Sequence, residues 1–279
     1  MRPFSKYLNT NQIHPLVVDW TKRVVKNGGV LPGQKTVRSL NNLWVTLIKN
    51  QLDTKLKLIN CLVPDNLTAA LTPLYQIANG NDPWTNTNFL STDLTKDGLI
   101  GNGSSKYLNP NLLPSNMFPD DDTGGMTLYN MSASDVITPV EFGASQSIPQ
   151  FAIYVGYNGV SYCDIFANDG TGRISADNSL FTGFLSGNRI SSTSFALYQA
   201  NSGMAFNTLV SNSTGDANGT RPTTRVPYVF AFNADGSPAA YTPRRLSFVA
   251  AHLGLTDIEA QIFYNAVQTM RTQLGGGYV

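Results

Sequence analysis

The stretch Phe151-Ala152-Ile153-Tyr154-Val155-Gly156-Tyr157-Asn158-Gly159-Val160-Ser161-Tyr162-Cys163-Asp164-Ile165-Phe166-Ala167 decides the fold. Two runs rich in β-branched and aromatic residues flank Asn158-Gly159. That dipeptide tolerates the positive φ which both central positions of a type I′ turn require. The spacing predicts two strands, Phe151 to Tyr157 and Val160 to Ala167, paired antiparallel.

The same texture extends both ways from this hairpin. From Asn79-Gly80-Asn81-Asp82-Pro83 onward, Gly, Asn, Ser and Pro punctuate short β-rich runs, with no helical pattern between them. The runs include Met126 to Met131, Ile137 to Phe142, Phe181 to Leu185, Ser194 to Gln199, Met204 to Val210, Val226 to Phe232 and Leu246 to Ala251. About a dozen such strands at close spacing argue for antiparallel sheets in a sandwich or barrel and against a parallel α/β fold. No fixed-period repeat suggests a propeller or solenoid.

Helices frame this region. Pro15 at a first-turn position, then Leu16, Val17, Trp20 and Val24, and a stop at Asn27-Gly28-Gly29 predict a first amphipathic helix. A second places Val37, Leu40, Leu43, Trp44, Leu47 and Ile48 on one side and is read as running on through Leu52, Leu56 and Ile59 towards Pro64. Near the other end, Thr256-Asp257-Ile258-Glu259 is a capping box. It opens a helix striped by Ile258, Ile262, Phe263, Ala266, Val267, Met270 and Leu274 and closed by Gly275-Gly276-Gly277. The organisation expected is a helical docking region (1–78), a β-sandwich (79–254) and a C-terminal helix (255–279) packing on either.

Composition narrows the function. Charged residues make up 13% of the 279, against roughly a quarter in ordinary soluble domains. An uncharged polar surface desolvates more cheaply than an ionic one, which suits a protein packed against neighbours. The net charge of +1, with no Lys/Arg run, predicts no nucleic-acid partner. No run of apolar residues has membrane-spanning length, and Met1 to Tyr7 lacks the apolar core of a signal peptide, so synthesis in a cytoplasm and no membrane span are expected. Cys61, read as helical, and Cys163, read as a strand residue, are expected to be buried free thiols. Acceptor tripeptides such as Asn130-Met131-Ser132 and Asn218-Gly219-Thr220 carry no weight in an Asn/Thr-rich chain.

The stretch Pro243 to Glu259, ending Leu255-Thr256-Asp257-Ile258-Glu259, with Phe263 to Gln268 behind it, resembles the carboxy-terminal end of concanavalin A-like (laminin G-like) jelly-roll proteins of tailed bacteriophage virions. Gly101-Asn102-Gly103-Ser104-Ser105-Lys106-Tyr107-Leu108 is similar to the opening of their first sandwich strand. Asn188-Arg189-Ile190-Ser191-Ser192 before Phe195 to Tyr198 fits the same pattern, as do Val24 to Asn60 and Leu71-Thr72-Pro73-Leu74 in the helical lead-in. The resemblance implies a virion component: a head fibre, a capsid decoration protein, or a tail or baseplate subunit, homo-oligomeric and in contact with other virion proteins. It also implies a concanavalin A-like sandwich, a fold that elsewhere binds glycans, so host surface glycans are an alternative partner.

Candidate chemistry is sparse. Hydrolases of this fold need paired carboxylates on one strand. The two glutamates are Glu141, with no carboxylate partner at suitable spacing, and Glu259, occupied in the capping box. Asp164 is the best remaining group for a polysaccharide hydrolase, and a hydrogen-bonded strand aspartate is its plainer reading. His14 at the start of a helix and His252 at the end of a strand have no nucleophile context or zinc spacing. Gly124-Gly125 reads as a turn and not as a phosphate loop. Asp120-Asp121-Asp122 offers calcium ligands, though a solvated loop is the commoner origin of such a cluster. Tyr154, Tyr157, Tyr162 and Tyr198 form a sugar-stacking platform only if they share an exposed face. Strict alternation puts Tyr154 and Tyr157 on opposite faces. No catalytic residue, metal ligand or cofactor is therefore assigned, and the expected role is non-enzymatic.

Overall fold

The computed structural model describes residues 12–77, 83–133, 138–147, 150–166, 173–177, 182–201, 204–212 and 219–276. Helices α1 (Pro15–Lys26) and α2 (Gln34–Lys49) precede strand β1 (Leu56–Asn60), the short helix α3 (Leu67–Leu71) and strand β2 (Tyr75–Gln76). Next come β3 (Thr85–Thr87), β4 (Leu94–Thr95), β5 (Gly98–Ile100), β6 (Tyr107–Asn109) and the single turn α4 (Pro114–Met117). Strands β7 (Gly124–Asn130), β8 (Phe142–Ser145), β9 (Gln150–Tyr157), β10 (Val160–Ile165) and β11 (Arg173–Asp177) follow. They lead to β12 (Gly183–Ser191), β13 (Ser194–Asn201) and β14 (Met204–Asn212). The last strands are β15 (Tyr228–Val229), β16 (Phe232–Ala234), β17 (Ser237–Ala239) and β18 (Arg245–His252), before helix α5 (Asp257–Leu274).

The strands form the expected two-sheet antiparallel sandwich. The first sheet runs β14-β13-β12-β7-β18-β1-β2, with β5 on β18 and β4 on β5. The second runs β11-β10-β9-β8-β15-β6-β3, with β16 on β8 and β17 on β16; the β16–β8 pair is parallel. Inward residues such as Leu128, Leu185, Leu197 and Val249 of the first sheet meet Phe142, Phe151, Ile153, Cys163 and Val229 of the second in one core. At Gly187 of β12 an added Cβ would lie 2.0 Å from Cys163 Sγ, so the sheets close up where glycine leaves room.

The outer face of the first sheet is covered from within the chain. Trp20 and Val24 of α1, Leu40, Leu43 and Leu47 of α2, and Phe263, Val267 and Met270 of α5 pack on Tyr129, Phe184, Tyr198 and Phe248. Trp20 Nε1 donates to the Thr72 carbonyl at 2.9 Å, which pins α1 to the chain leading into β2. Among the described residues no helix is long and apolar enough to cross a membrane.

The hairpin forms as read: Asn158 and Gly159 have φ of 50° and 83°, and Tyr157 pairs with Val160. The capping box also forms, with Thr256 accepting from the Glu259 amide and Gly275 closing α5 at φ 87°. The second helix, by contrast, stops at Lys49. Gln51 turns to φ 59°, Leu52–Thr54 make one 3-10 turn, and Leu56 to Asn60 are strand β1 between β18 and β2. Leu52, Leu56 and Ile59 fit a helical spacing, but hydrogen bonding to β18 decides the backbone. Cys61 accordingly follows a strand instead of lying in a helix.

Other boundaries move too. Strand β8 begins at Phe142, after Pro139, which cannot donate to a ladder; Ile137 and the 78/79 boundary lie outside the described residues. The run Val226 to Phe232 is split into β15 and β16 by Phe230 at φ 71°. Ile258, placed on the buried stripe of α5, is 73% exposed, while Arg271 is fully buried.

Candidate functional site

The first sheet is covered by helices; on the outer face of the second, Ala152, Tyr154 and Asp164 are buried, while Tyr107, Tyr157, Tyr162 and Tyr228 are half-buried. Side chains on that face alternate with core residues. Tyr154 and Tyr162 sit between core positions Ile153, Val155 and Cys163, and Tyr107 and Tyr228 flank Leu108 and Val229. The face carries aromatic rings in two groups.

In the first group, Tyr154, Tyr157 and Tyr162 meet edge to face, with centroids 5.6 Å apart for Tyr154–Tyr157 and 6.0 Å for Tyr154–Tyr162. Strict alternation forbids the first of these pairs. The structure allows it because the ladder slips by one residue between Val160 and Tyr162, opposite Gly156 at φ 66°. The bulge turns Tyr157 onto the face of Tyr154. Phe232 of β16 and Val140 complete this small cluster, separate from the main core. Tyr198, the fourth tyrosine of the expected platform, lies on the other sheet beneath α5, donating its hydroxyl to Asp257.

The second group went unread in the sequence. Tyr107 of β6 and Tyr228 of β15 have centroids 4.6 Å apart, and Tyr241 stands 6.3 Å from Tyr107. All three rings are half-buried. Burial and the Tyr107 neighbour push the Tyr228 and Tyr241 hydroxyls above their ordinary range, so both stay protonated donors at neutral pH. Tyr107 and Tyr228 stand on short strands of three and two residues, and Tyr241 on the connection between β17 and β18, so their proximity appears only when the chain is folded.

Charge at this face is paired. Arg173 Nε and Nη2 donate to the two oxygens of buried Asp164 at 2.8 Å each, a bidentate geometry set by the Asp164↔Arg173 cross-strand register. The guanidinium lies 4.9 Å from the Tyr162 ring centre. The hydrogen bond to Asp164 raises the pKa of Arg173 further. Asp164 is thus the hydrogen-bonded strand aspartate expected. Glu141 is fully buried, accepting from Val155 N at 2.7 Å, Thr242 Oγ1 at 3.0 Å and Arg244 Nη1 at 2.6 Å. Burial pushes its pKa up against the pull of Arg244. Its ion-pair partner is Arg244, 103 residues away in the sequence, and not a second carboxylate.

The remaining candidates scatter. Asp120 caps its own turn, accepting from Asp122 N and from Thr123 N and Oγ1. Asp121 pairs with Arg221 at 2.8 Å and Asp122 with Arg189 at 3.1 Å, so the three carboxylates point to different partners. Among the described residues no group of three His, Cys, Asp or Glu side chains could hold a metal ion. His14 Nδ1 accepts from Leu16 N at the start of α1. His252 is buried at the end of β18, its Nδ1 donating to the Leu253 carbonyl and its Nε2 accepting from Thr127 Oγ1. Burial lowers its pKa to about 4. Glu259 keeps its capping role and also takes Lys55 at 2.6 Å. Both cysteines are free and buried, and burial pushes the Cys61 thiol up to about 12 and the Cys163 thiol well above its ordinary range, which keeps both in the protonated form at neutral pH. Gly124-Gly125 begins β7, and Asn130 is buried in the same strand.

No protein-family model matches the sequence, and no curated protein matches it. Solved structures share part of the sandwich. A leech intramolecular trans-sialidase aligns at 14% identity and TM-score 0.44, over 66% of this chain and 27% of that one. The NanB sialidase of Streptococcus pneumoniae aligns at 13% and 0.37, over 50% and 23%. The carbohydrate-binding CBM40 module of a Ruminococcus gnavus IT-sialidase aligns at 10% and 0.36, over 51% and 83%. The chain spans about a quarter of the length of the two sialidases. At TM-scores this low the likenesses have no bearing on activity.

Proposed function

We propose that the chain is a non-enzymatic structural subunit of a bacteriophage particle, a head fibre, decoration, tail or baseplate protein, acting through protein–protein contacts. The observation behind this reading is the division of surfaces. The chain's own helices cover one sheet, and the other presents the half-buried Tyr107, Tyr157, Tyr162 and Tyr228 above a carboxylate, Asp164, that is buried and neutralised by Arg173. Aromatic rings with few net charges are what a contact surface needs, since they supply area at little desolvation cost. The phage setting is supported by the likeness of Gly101 to Leu108 and Pro243 to Glu259. Mass spectrometry of purified particles of the encoding phage is expected to find the protein, and Tyr107→Ser/Tyr228→Ser should weaken its co-sedimentation with phage shells. A protein absent from particles, or a double variant that co-sediments like the parent, refutes the proposal.

A second reading, glycan binding for host attachment, is favoured by the half-buried Tyr107, Tyr228 and Tyr241 rings, which cluster at one place and offer aromatic surface of the kind sugars stack on. A glycan array separates the two: binding that disappears with Tyr228→Ser supports attachment, and signal at background removes it.

A further inference from the structure

A sheet that ends in an exposed strand invites another strand, and proteins blunt such edges with charge, proline or brevity. Among the described residues six strands have a neighbour on one side only, and five of them are short or charged. β2 and β4 have two residues each, β3 and β17 three each, and β11 carries Arg173 and Asp177. The sixth, β14, is nine residues long, Met204-Ala205-Phe206-Asn207-Thr208-Leu209-Val210-Ser211-Asn212, without a charged residue or proline. Ala205, Asn207, Thr208 and Ser211 are exposed, and among the described residues β14 pairs with β13 alone.

We infer that β14 is a homotypic interface, in which the edge of a second copy of this chain pairs antiparallel with it across a two-fold axis and extends the first sheet through both subunits. The occupant follows from the strand's own chemistry. A two-fold contact places a surface against itself, so any charge near the axis meets its like. β14 has none to oppose, whereas β11 would set Arg173 or Asp177 near its own copy. Beside the edge, the Phe206 ring stacks on Tyr198 at 5.5 Å and on Tyr264 at 5.7 Å and remains half-exposed. Leu209 and Val210 are also half-buried, so a partner strand gains apolar cover as well as a ladder. Two slips in the β13–β14 ladder, between Leu197 and Tyr198 and between Gln199 and Asn201, bend β14 without adding charge and limit a partner's pairing to the regular stretches between and beyond them.

The test is light scattering on the full chain, the parent beside Thr208→Lys and Thr208→Glu. The parent is expected at twice the 30.3 kDa chain mass, and each variant alone at half the parent's value, because the substitution sets like charges at the axis. An equimolar mixture of the two variants should return to the doubled mass, which a merely misfolded variant cannot do. A monomeric parent, a parent mass beyond two chains, variants that keep the parent's mass, or a mixture that stays monomeric each overturns the inference.

Discussion

Gly187→Ala tests how tightly the two sheets close. The new Cβ would stand 2.0 Å from Cys163 Sγ and 2.5 Å from Cys163 Cβ, where ordinary carbon contacts lie at about 3.5–4.0 Å. Something must yield by roughly 1.5 Å. Gly187 pairs with Met126 and Leu197 in adjacent strands, which fixes its own backbone, so the strain falls on the Cys163 rotamer and the sheet spacing. Overpacking of this kind costs about 1–3 kcal/mol. Alanine returns about 0.5–1 kcal/mol by restricting the unfolded chain. A net loss of about 1–2 kcal/mol remains, which in a domain this size lowers Tm by roughly 2–4 °C. Urea unfolding of the parent, Gly187→Ala, Cys163→Gly and the double variant measures both the loss and its cause. If the clash is responsible, the double variant recovers at least about 0.5 kcal/mol relative to the sum of the single effects. A Gly187→Ala protein as stable as the parent, or strictly additive effects, would refute the close approach.

Other perturbations probe the buried polar groups and the helix cap. His252 titrates near 4 in the fold against 6.5 unfolded, so the unfolded chain takes up a proton that the folded chain refuses as pH falls from 6.5 to 4. Stability contributed by the neutral imidazole is therefore full above pH 6.5 and declines by about 1.4 kcal/mol per unit, roughly 3 kcal/mol over the window. In His252→Asn the slope of unfolding free energy against pH should be shallower by one proton, and an unchanged slope counts against a buried neutral imidazole. Arg244→Met strands the Glu141 carboxylate in the interior and is expected to cost about 3–5 kcal/mol in urea unfolding, most of it restored by adding Glu141→Gln. No recovery would mean that the arginine acts by packing alone. Thr256→Ala removes the acceptor for the Glu259 amide and should lower stability by about 1 kcal/mol; an unchanged midpoint would show that α5 is held by its apolar stripe without the cap.

The residues that carry local signals settled much of this protein before folding was considered. Asn158-Gly159 set a hairpin because its backbone preference is a property of two residues, and Thr256 to Glu259 started a helix because a capping box closes over four. The apolar spacing from Pro15 to Ile48 marked two amphipathic helices for the same reason, and the charge content needs no structure to be read. What folding decided depends on partners distant in sequence. Leu56 to Asn60 could join either a helix or a sheet until β18 lay beside them, and Glu141 gained its counter-ion from Arg244. A single bulge opposite Gly156 reversed the expected separation of Tyr154 and Tyr157, since one inserted residue turns every following side chain to the other face. Tyr107, Tyr228 and Tyr241 came together only because three short segments pair or pack at one end of a sheet. Sequence fixes what each stretch prefers over a few residues; which face the helices cover, and which strand lies at an edge, belongs to the arrangement of the whole chain.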